Sequence, residues 1–96
     1  MKYEIILSPQ ARAHFHDLSA YDRATVRGAI DEHLQYHPTA ESKSRIKRLR
    51  GVRKPQYRLR VDAVRVFYDI EGDTVILHGI VEKTDAARWL AKEGKS

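Results

Sequence analysis

Apolar and polar positions change their period several times along this chain, and each change marks an element. From Lys2 to Leu7 they alternate, with Tyr3, Ile5 and Leu7 on one face and Lys2 and Glu4 on the other. That is the pattern of a half-buried strand. Ser8-Pro9 follows, a helix start with Ser at the N-cap and Pro at the first helical position. Ala11, Phe15 and Leu18 then recur at helical spacing and predict a short amphipathic helix to about Leu18. Ser19 to Asp22 reads as a turn, with Asp22 as the cap of a second helix. Val26, Ala29, Ile30, His33, Leu34 and His37 form one helical stripe. Pro38 disfavours helical geometry at His37, so this helix is expected to end near Tyr36.

The second half reads differently. Thr39 to Lys54 is polar and basic and is expected to be a mobile loop, broken by Gly51 and Pro55, with Ile46 and Leu49 able to tack it to the core. Tyr57 to Val61 and Val64 to Ile70 are rich in β-branched and aromatic residues and read as a hairpin. An even loop centred on Asp62-Ala63 sets Arg60 opposite Arg65 and Arg58 opposite Phe67. Glu71-Gly72-Asp73 is a turn, and Thr74 to Val81 is a strand apolar enough for burial on both faces. Thr84 and Asp85 open a last short helix, Ala86 to Lys92, ended by Gly94. The order β-α-α-β-β-β, with a short final α, predicts an α+β fold: a small, mostly antiparallel sheet packed on an N-terminal helical hairpin.

Ninety-six residues with 42% hydrophobic content predict one domain over residues 1–96 with one modest core. No cysteine is present, which excludes disulfides, thiolate zinc sites and cysteine nucleophiles and fits a reducing cytoplasm. Neither a secretory signal nor a membrane span is expected from the hydropathy pattern.

Charge sharpens the picture. Between Lys43 and Arg65 lie ten of the 18 Lys and Arg residues but one of the 13 Asp and Glu, a local charge of +9 in a chain of net +5. Such a field recruits polyanions. On the predicted hairpin register, Arg58, Arg60 and Arg65 share one sheet face with Phe67. Like charges set opposite each other destabilise a hairpin. A bound phosphate backbone would offset that cost.

The order and wording of several stretches resemble the RelE/ParE superfamily of toxins from type II toxin–antitoxin modules. These stretches are Tyr3-Glu4-Ile5-Ile6-Leu7-Ser8-Pro9-Gln10-Ala11, Lys47-Arg48-Leu49-Arg50-Gly51, Tyr57-Arg58-Leu59-Arg60 and Arg65-Val66-Phe67-Tyr68-Asp69-Ile70. The resemblance implies a toxin neutralised by a partner antitoxin, in a complex that can bind its own operator DNA through the antitoxin. RelE-like members cleave messenger RNA in the ribosomal A site, whereas ParE-like members inhibit DNA gyrase. In the RelE branch two basic residues that contact RNA fall here on Arg58 and Arg60, and the Arg that stabilises the scissile phosphate falls on Arg65. A basic residue after the last strand falls on Lys83, with Arg88 a second candidate. The Tyr or His expected a few positions later is missing, and Trp89 and Leu90 occupy that neighbourhood.

Cleavage by the RNA's own 2′-hydroxyl needs a base, an acid and cations around the transition state, and no metal or cofactor. The arginines suit the cationic role but not the basic one, because arginine stays protonated. Lys83, His78, Tyr68 and Asp69 are the acid–base candidates. Alternation along the Val64–Ile70 strand turns Tyr68 away from Arg65 and leaves Phe67 and Asp69 on its face. Arg48, Arg50, Arg53, Lys54 and Arg88 extend the expected nucleic-acid-binding set beyond Arg58, Arg60 and Phe67. His33 and His37 stand at i, i+4, but no third metal ligand is spaced to join them. His14 and His16 are expected to be exposed, and His78 to be a hydrogen-bonded core residue. A ribosome-dependent RNA endonuclease, a non-catalytic gyrase inhibitor and a plain nucleic-acid-binding relative all fit this pattern.

Overall fold

The two serines that follow the first apolar segments both become helix caps in the computed structural model, which describes Met1–Ser96. Strand β1 (Glu4–Leu7) leads into α1 (Pro9–Asp17), where the Ser8 hydroxyl accepts a hydrogen bond from the Ala11 N–H at 3.0 Å. Helix α2 (Ala20–His33) is capped in the same way by Ser19, which accepts from the Asp22 N–H at 3.1 Å. The helix therefore starts earlier than Asp22 predicts. Asp22 sits instead in the first turn, where a carboxylate suits the positive end of the helix dipole. The helix also stops at His33, short of Tyr36. Leu34 caps it, and the next carbonyl, that of Gln35, accepts from the Tyr3 N–H.

Five strands form one sheet in the order β1-β5-β4-β3-β2. β2 (Ile46–Arg48), β3 (Tyr57–Val61), β4 (Val64–Glu71) and β5 (Thr74–Glu82) pair antiparallel with their neighbours. β1 alone pairs parallel, with Glu4 beside Thr74 and Leu7 beside Leu77. The chain then makes a 3₁₀ turn (Lys83–Asp85) and ends in α3 (Ala86–Glu93), followed by Gly94. The α+β architecture is the expected one, with one correction. Ile46–Arg48, read as part of a mobile loop, is an edge strand. Its Ile46 is buried opposite Leu59 and Leu49 is half-buried, so this segment is tied to the core.

The core lies between one sheet face and the helical hairpin. Ala11, Val26, Ile30 and Leu34 meet Leu59, Val61, Val64, Val66, Tyr68, Val75, Leu77 and Ile80. Tyr68 is fully buried, and its hydroxyl donates to the Pro38 carbonyl at 2.6 Å. Burial, then the neighbouring Tyr57, pushes its pKa far up, so Tyr68 is a structural phenol.

The β4–β5 ladder has a break in its register. Phe67 pairs with Gly79 but Tyr68 pairs with Leu77, which leaves His78 as an extra residue on β5. This is a β-bulge. It reverses the alternation of β5, so that Val75 and Leu77 face the core on one side of the bulge and Ile80 on the other. Gly79 then faces outward. α3 lies over this outer face, with the Trp89 indole on Gly79 and stacked on Phe67 at 4.9 Å and 11°. Beyond the reach of β1, the Ile80 N–H donates to His14 Nδ1 at 3.1 Å, so His14 is half-buried rather than exposed. No helix is long and apolar enough to cross a membrane.

A Cβ at position 79 would collide with the Trp89 indole at Cζ2. Gly79→Ala is therefore expected to lift the indole and cost about 1–3 kcal/mol, the usual range for overpacking. Denaturant unfolding measures the cost. Trp89 is the chain's single tryptophan, so its emission reports directly on whether α3 has lifted.

Candidate nucleic-acid interface

The β3–β4 hairpin has the register that alternation predicts. Arg60 pairs with Arg65 and Arg58 with Phe67, across the two-residue loop Asp62-Ala63. Asp62 takes the left-handed conformation, φ 51°, which a short polar side chain tolerates better than most. The loop in turn holds Arg65, whose Nη1 donates to the Asp62 carbonyl at 2.8 Å and the Val64 carbonyl at 3.1 Å.

No carboxylate balances this cluster. The chain's four ion pairs are His16–Asp17, His33–Glu32, His78–Asp69 and Arg88–Asp85, and none involves Arg58, Arg60 or Arg65. Arg58 and Arg65 are half-buried and Arg60 is exposed. Burial, then Arg60, lowers the Arg58 pKa. Burial, then Arg58 and Arg60, lowers that of Arg65. The three guanidinium groups thus sit close enough to repel one another. Arg58 Nε is buried without a partner. An arriving anion would satisfy that donor and relieve the repulsion together.

The other cations are distributed unevenly. The Lys83 N–H donates to the Ala63 carbonyl at 2.7 Å, which brings Lys83 to the hairpin tip beside Arg65. Its side chain is exposed. Lys47 pairs with Arg58 across β2–β3 and joins the arginine face. Sequence patterning passed over Lys47 because a three-residue strand has no period to detect. Arg48, one position on, pairs with Tyr57 and belongs to the opposite face. There its guanidinium lies 5.2 Å from the centre of the Tyr57 ring, which stacks on Tyr68 at 5.5 Å. Arg50, Arg53 and Lys54 are exposed in the connection between β2 and β3. The Arg53 and Lys54 N–H groups both donate to the Lys95 carbonyl, which pins the C-terminal tail to that connection. Arg88 is held by Asp85 on the surface of α3.

Phe67 departs from expectation. It points to the outer face but is only 1% exposed, because Trp89 covers it. Its ring forms part of the seat of α3 and offers no open platform to a base. The acid–base candidates separate as well. Tyr68 is locked in the core. Asp69 is 1% exposed and pairs with His78 at 2.7 Å. His78 is half-buried and hydrogen-bonded on the outer face rather than in the core. Only Lys83 stands beside the arginines.

Residues 5–82 match the family model described as the ParE toxin of the type II toxin–antitoxin system parDE. No curated protein sequence is similar to the chain. Solved structures that share its fold include three toxin–antitoxin complexes. The RelBE2 toxin–antitoxin complex of Mycobacterium tuberculosis aligns with a TM-score of 0.70 and 22% identity, over 85% of this chain and 99% of that one. The RelE–RelB complex of Pyrococcus horikoshii OT3 gives 0.70 and 20%, over 86% and 97%. The RelB–RelE complex of Methanococcus jannaschii gives 0.68 and 19%, over 88% and 96%.

An unbalanced cluster should trade stability against binding. Arg58→Met keeps the length of the side chain and removes a half-buried charge. It is expected to raise the melting temperature while weakening binding to single-stranded RNA. The log–log salt slope of that binding should fall by about one unit. A melting temperature lowered by the substitution would contradict the picture of mutual repulsion.

Proposed function

This chain belongs to the ParE toxin family of type II toxin–antitoxin systems, and from that premise we propose that it is a RelE-like toxin that cleaves messenger RNA on the ribosome. The observation that carries the reading is the face of three arginines with no carboxylate to balance them. A phosphodiester is the ligand such a face lacks. Arg58 and Arg60 hold the strand, and Arg65, fixed by two carbonyls of its own turn, points its guanidinium at the scissile phosphate. The 2′-hydroxyl gives its proton to water as its oxygen attacks phosphorus and the bond to the 5′-oxygen breaks. Negative charge on the non-bridging oxygens grows in the transition state, and fixed cations aimed at it contribute about 2.7–4 kcal/mol each, by analogy with an oxyanion donor. Lys83, at the hairpin tip, protonates the departing 5′-oxygen. The ribosome orients the substrate and supplies much of the entropic advantage, which lets a sparse acid–base set suffice.

A second reading has its own support. Trp89 lies where the RelE branch has a proton-exchanging side chain, and it is committed to packing on Phe67 and Gly79. A non-catalytic inhibitor of DNA gyrase needs no proton donor there.

In either case the partner is a cognate antitoxin, by analogy with the toxin–antitoxin complexes that share the fold. An acidic segment of that antitoxin would neutralise the arginine face. The free edge at β1 offers it backbone pairing, whereas the outer edge of β2 is already occupied by the chain's own Glu41 and Ser42. The assembled complex would reach operator DNA through the antitoxin. Both targets place the toxin in the cytoplasm.

In a translating ribosome system, messenger RNA ends mapped by primer extension should show cuts at A-site codons. Arg65→Ala should reduce them about 10²–10³-fold. Intact message with the wild-type protein in excess over ribosomes, together with inhibited DNA supercoiling by gyrase, would move the assignment to the second reading. Arg60→Glu with Arg65→Glu should weaken the antitoxin complex in a titration, and unchanged affinity would place the antitoxin on another surface.

A further inference from the structure

The outer face of the sheet carries a second constellation, on the far side of the Phe67–Trp89 stack from the arginines. A cleft of about 300 Å³ opens between the start of α1, the β2–β3 connection, α3 and the C-terminal tail. Ser8, Lys54, Asp69, His78, Trp89 and Lys95 are among its lining residues. At its floor the buried Asp69 carboxylate accepts from the Gln56 N–H through Oδ1 at 2.7 Å and meets His78 Nε2 through Oδ2 at 2.7 Å. A carboxylate only accepts hydrogen bonds, so Nε2 carries the ring hydrogen. Nδ1 of the neutral ring is then a lone-pair acceptor. It has no protein partner, and the His78 side chain is 35% exposed.

Alternation from Val75 and Leu77 turns His78 outward beside Asp69, and the extra residue at this point of β5 turns Gly79 outward as well. Gly79 next to it admits Trp89 as the wall of the cleft. Lys54 and Lys95 are exposed at the rim and form no ion pair. The cleft therefore offers one oriented acceptor at its floor, an indole wall and two cations at its mouth, with the Glu93 carboxylate on the α3 side held by the Gln10 amide, which donates to it and accepts from the Trp89 N–H. No third ligand stands with Asp69 and His78 to hold a metal. Nor does His78 reach the proposed scissile phosphate. Asp69 is four residues along β4 from Arg65, roughly 13 Å away, and Phe67 lies between them. A proton-transfer group must stand within hydrogen-bond distance of its target.

We propose that this cleft takes one unstacked nucleobase of the RNA strand whose backbone lies on the arginines, with His78 Nδ1 accepting from a base N–H and Lys54 and Lys95 flanking its phosphates. The proposal rests on the RNA-binding reading above. Arg60, Arg58 and Lys54 follow one another on β3 and the segment before it, which gives the strand a cationic path from the hairpin to the cleft. Phosphate contacts on the arginines position the strand, and the cleft contacts a base.

The test uses the full chain and a short single-stranded RNA with methylated 2′-hydroxyls, which binds without being cut. Each position is replaced in turn by an abasic residue, and affinity is read by fluorescence anisotropy. At one position the loss of the base should weaken binding about fivefold, the size of one neutral hydrogen bond, and should quench Trp89 less. In His78→Ala that position should become indifferent to the base while the other positions keep their profile. Asp69→Asn is the second variant. Its amide donates to Nε2, moves the ring hydrogen to Nδ1 and turns the acceptor into a donor, so the same position should lose its base dependence. An abasic profile that is the same in wild type and both variants would overturn the proposal. If Arg60→Ala and Arg65→Ala also bind as tightly as wild type, the RNA reading itself falls. If they bind weakly, only the cleft assignment does.

Discussion

One extra residue in β5 lets a single strand satisfy two faces with different demands. Toward the helices β5 must keep presenting branched side chains, and the bulge at His78 allows Val75, Leu77 and Ile80 to do so although their spacing breaks alternation. Toward the outside His78 meets Asp69, and the bulge leaves Gly79 flat beneath Trp89. Remove it, and either Ile80 leaves the core or the indole loses its seat. The packing of the helical layer, the seat of α3 and the polar cleft all depend on that local offset.

The outer face is divided by the Phe67–Trp89 stack. On one side three guanidinium groups crowd together with no anion of their own. On the other a buried carboxylate is fully matched, by a backbone N–H and an imidazole. The hairpin tolerates the crowding because its opposite face is well packed: Leu59, Val61, Val64 and Val66 are all buried. Apolar burial of this kind contributes about 25 cal/mol per Å², enough to carry an electrostatic penalty that is partly screened by water. The unbalanced side is where an anionic partner gains most, and the balanced side is where geometry is held most firmly.

Much of this was legible in the sequence wherever a period runs long enough. The hairpin register, Arg60 against Arg65 and Arg58 against Phe67, follows from alternation across an even loop, and so does the grouping of the three arginines. Ser8-Pro9 announces α1 through its cap. Short or local features escaped. β2 is three residues long, so neither it nor the presence of Lys47 on the arginine face left a pattern, and Arg48 turned to the far face with its own register. Ser19 and Asp22 are both good caps, and sequence alone does not choose between them. Phe67 has the right face but not the expected exposure, because its cover comes from Trp89, 22 residues away in the chain. The bulge had no signature except a histidine and a glycine inside an apolar strand. It is also the feature that most affects the site.

The parallel pairing of β1 with β5 has a consequence for how the molecule comes into being. Glu4 finds its strand partner at Thr74, and Leu7 at Leu77. A ribosome adding about 5–20 residues per second needs several seconds to pass from one to the other. During that interval the first strand has no sheet to join, and β5, which every layer of the fold uses, does not yet exist. Contacts this distant in sequence also fold slowly once available. The toxin domain therefore assembles at the end of its own synthesis rather than along the way, and a chain cut short before β5 has neither its core nor its cleft.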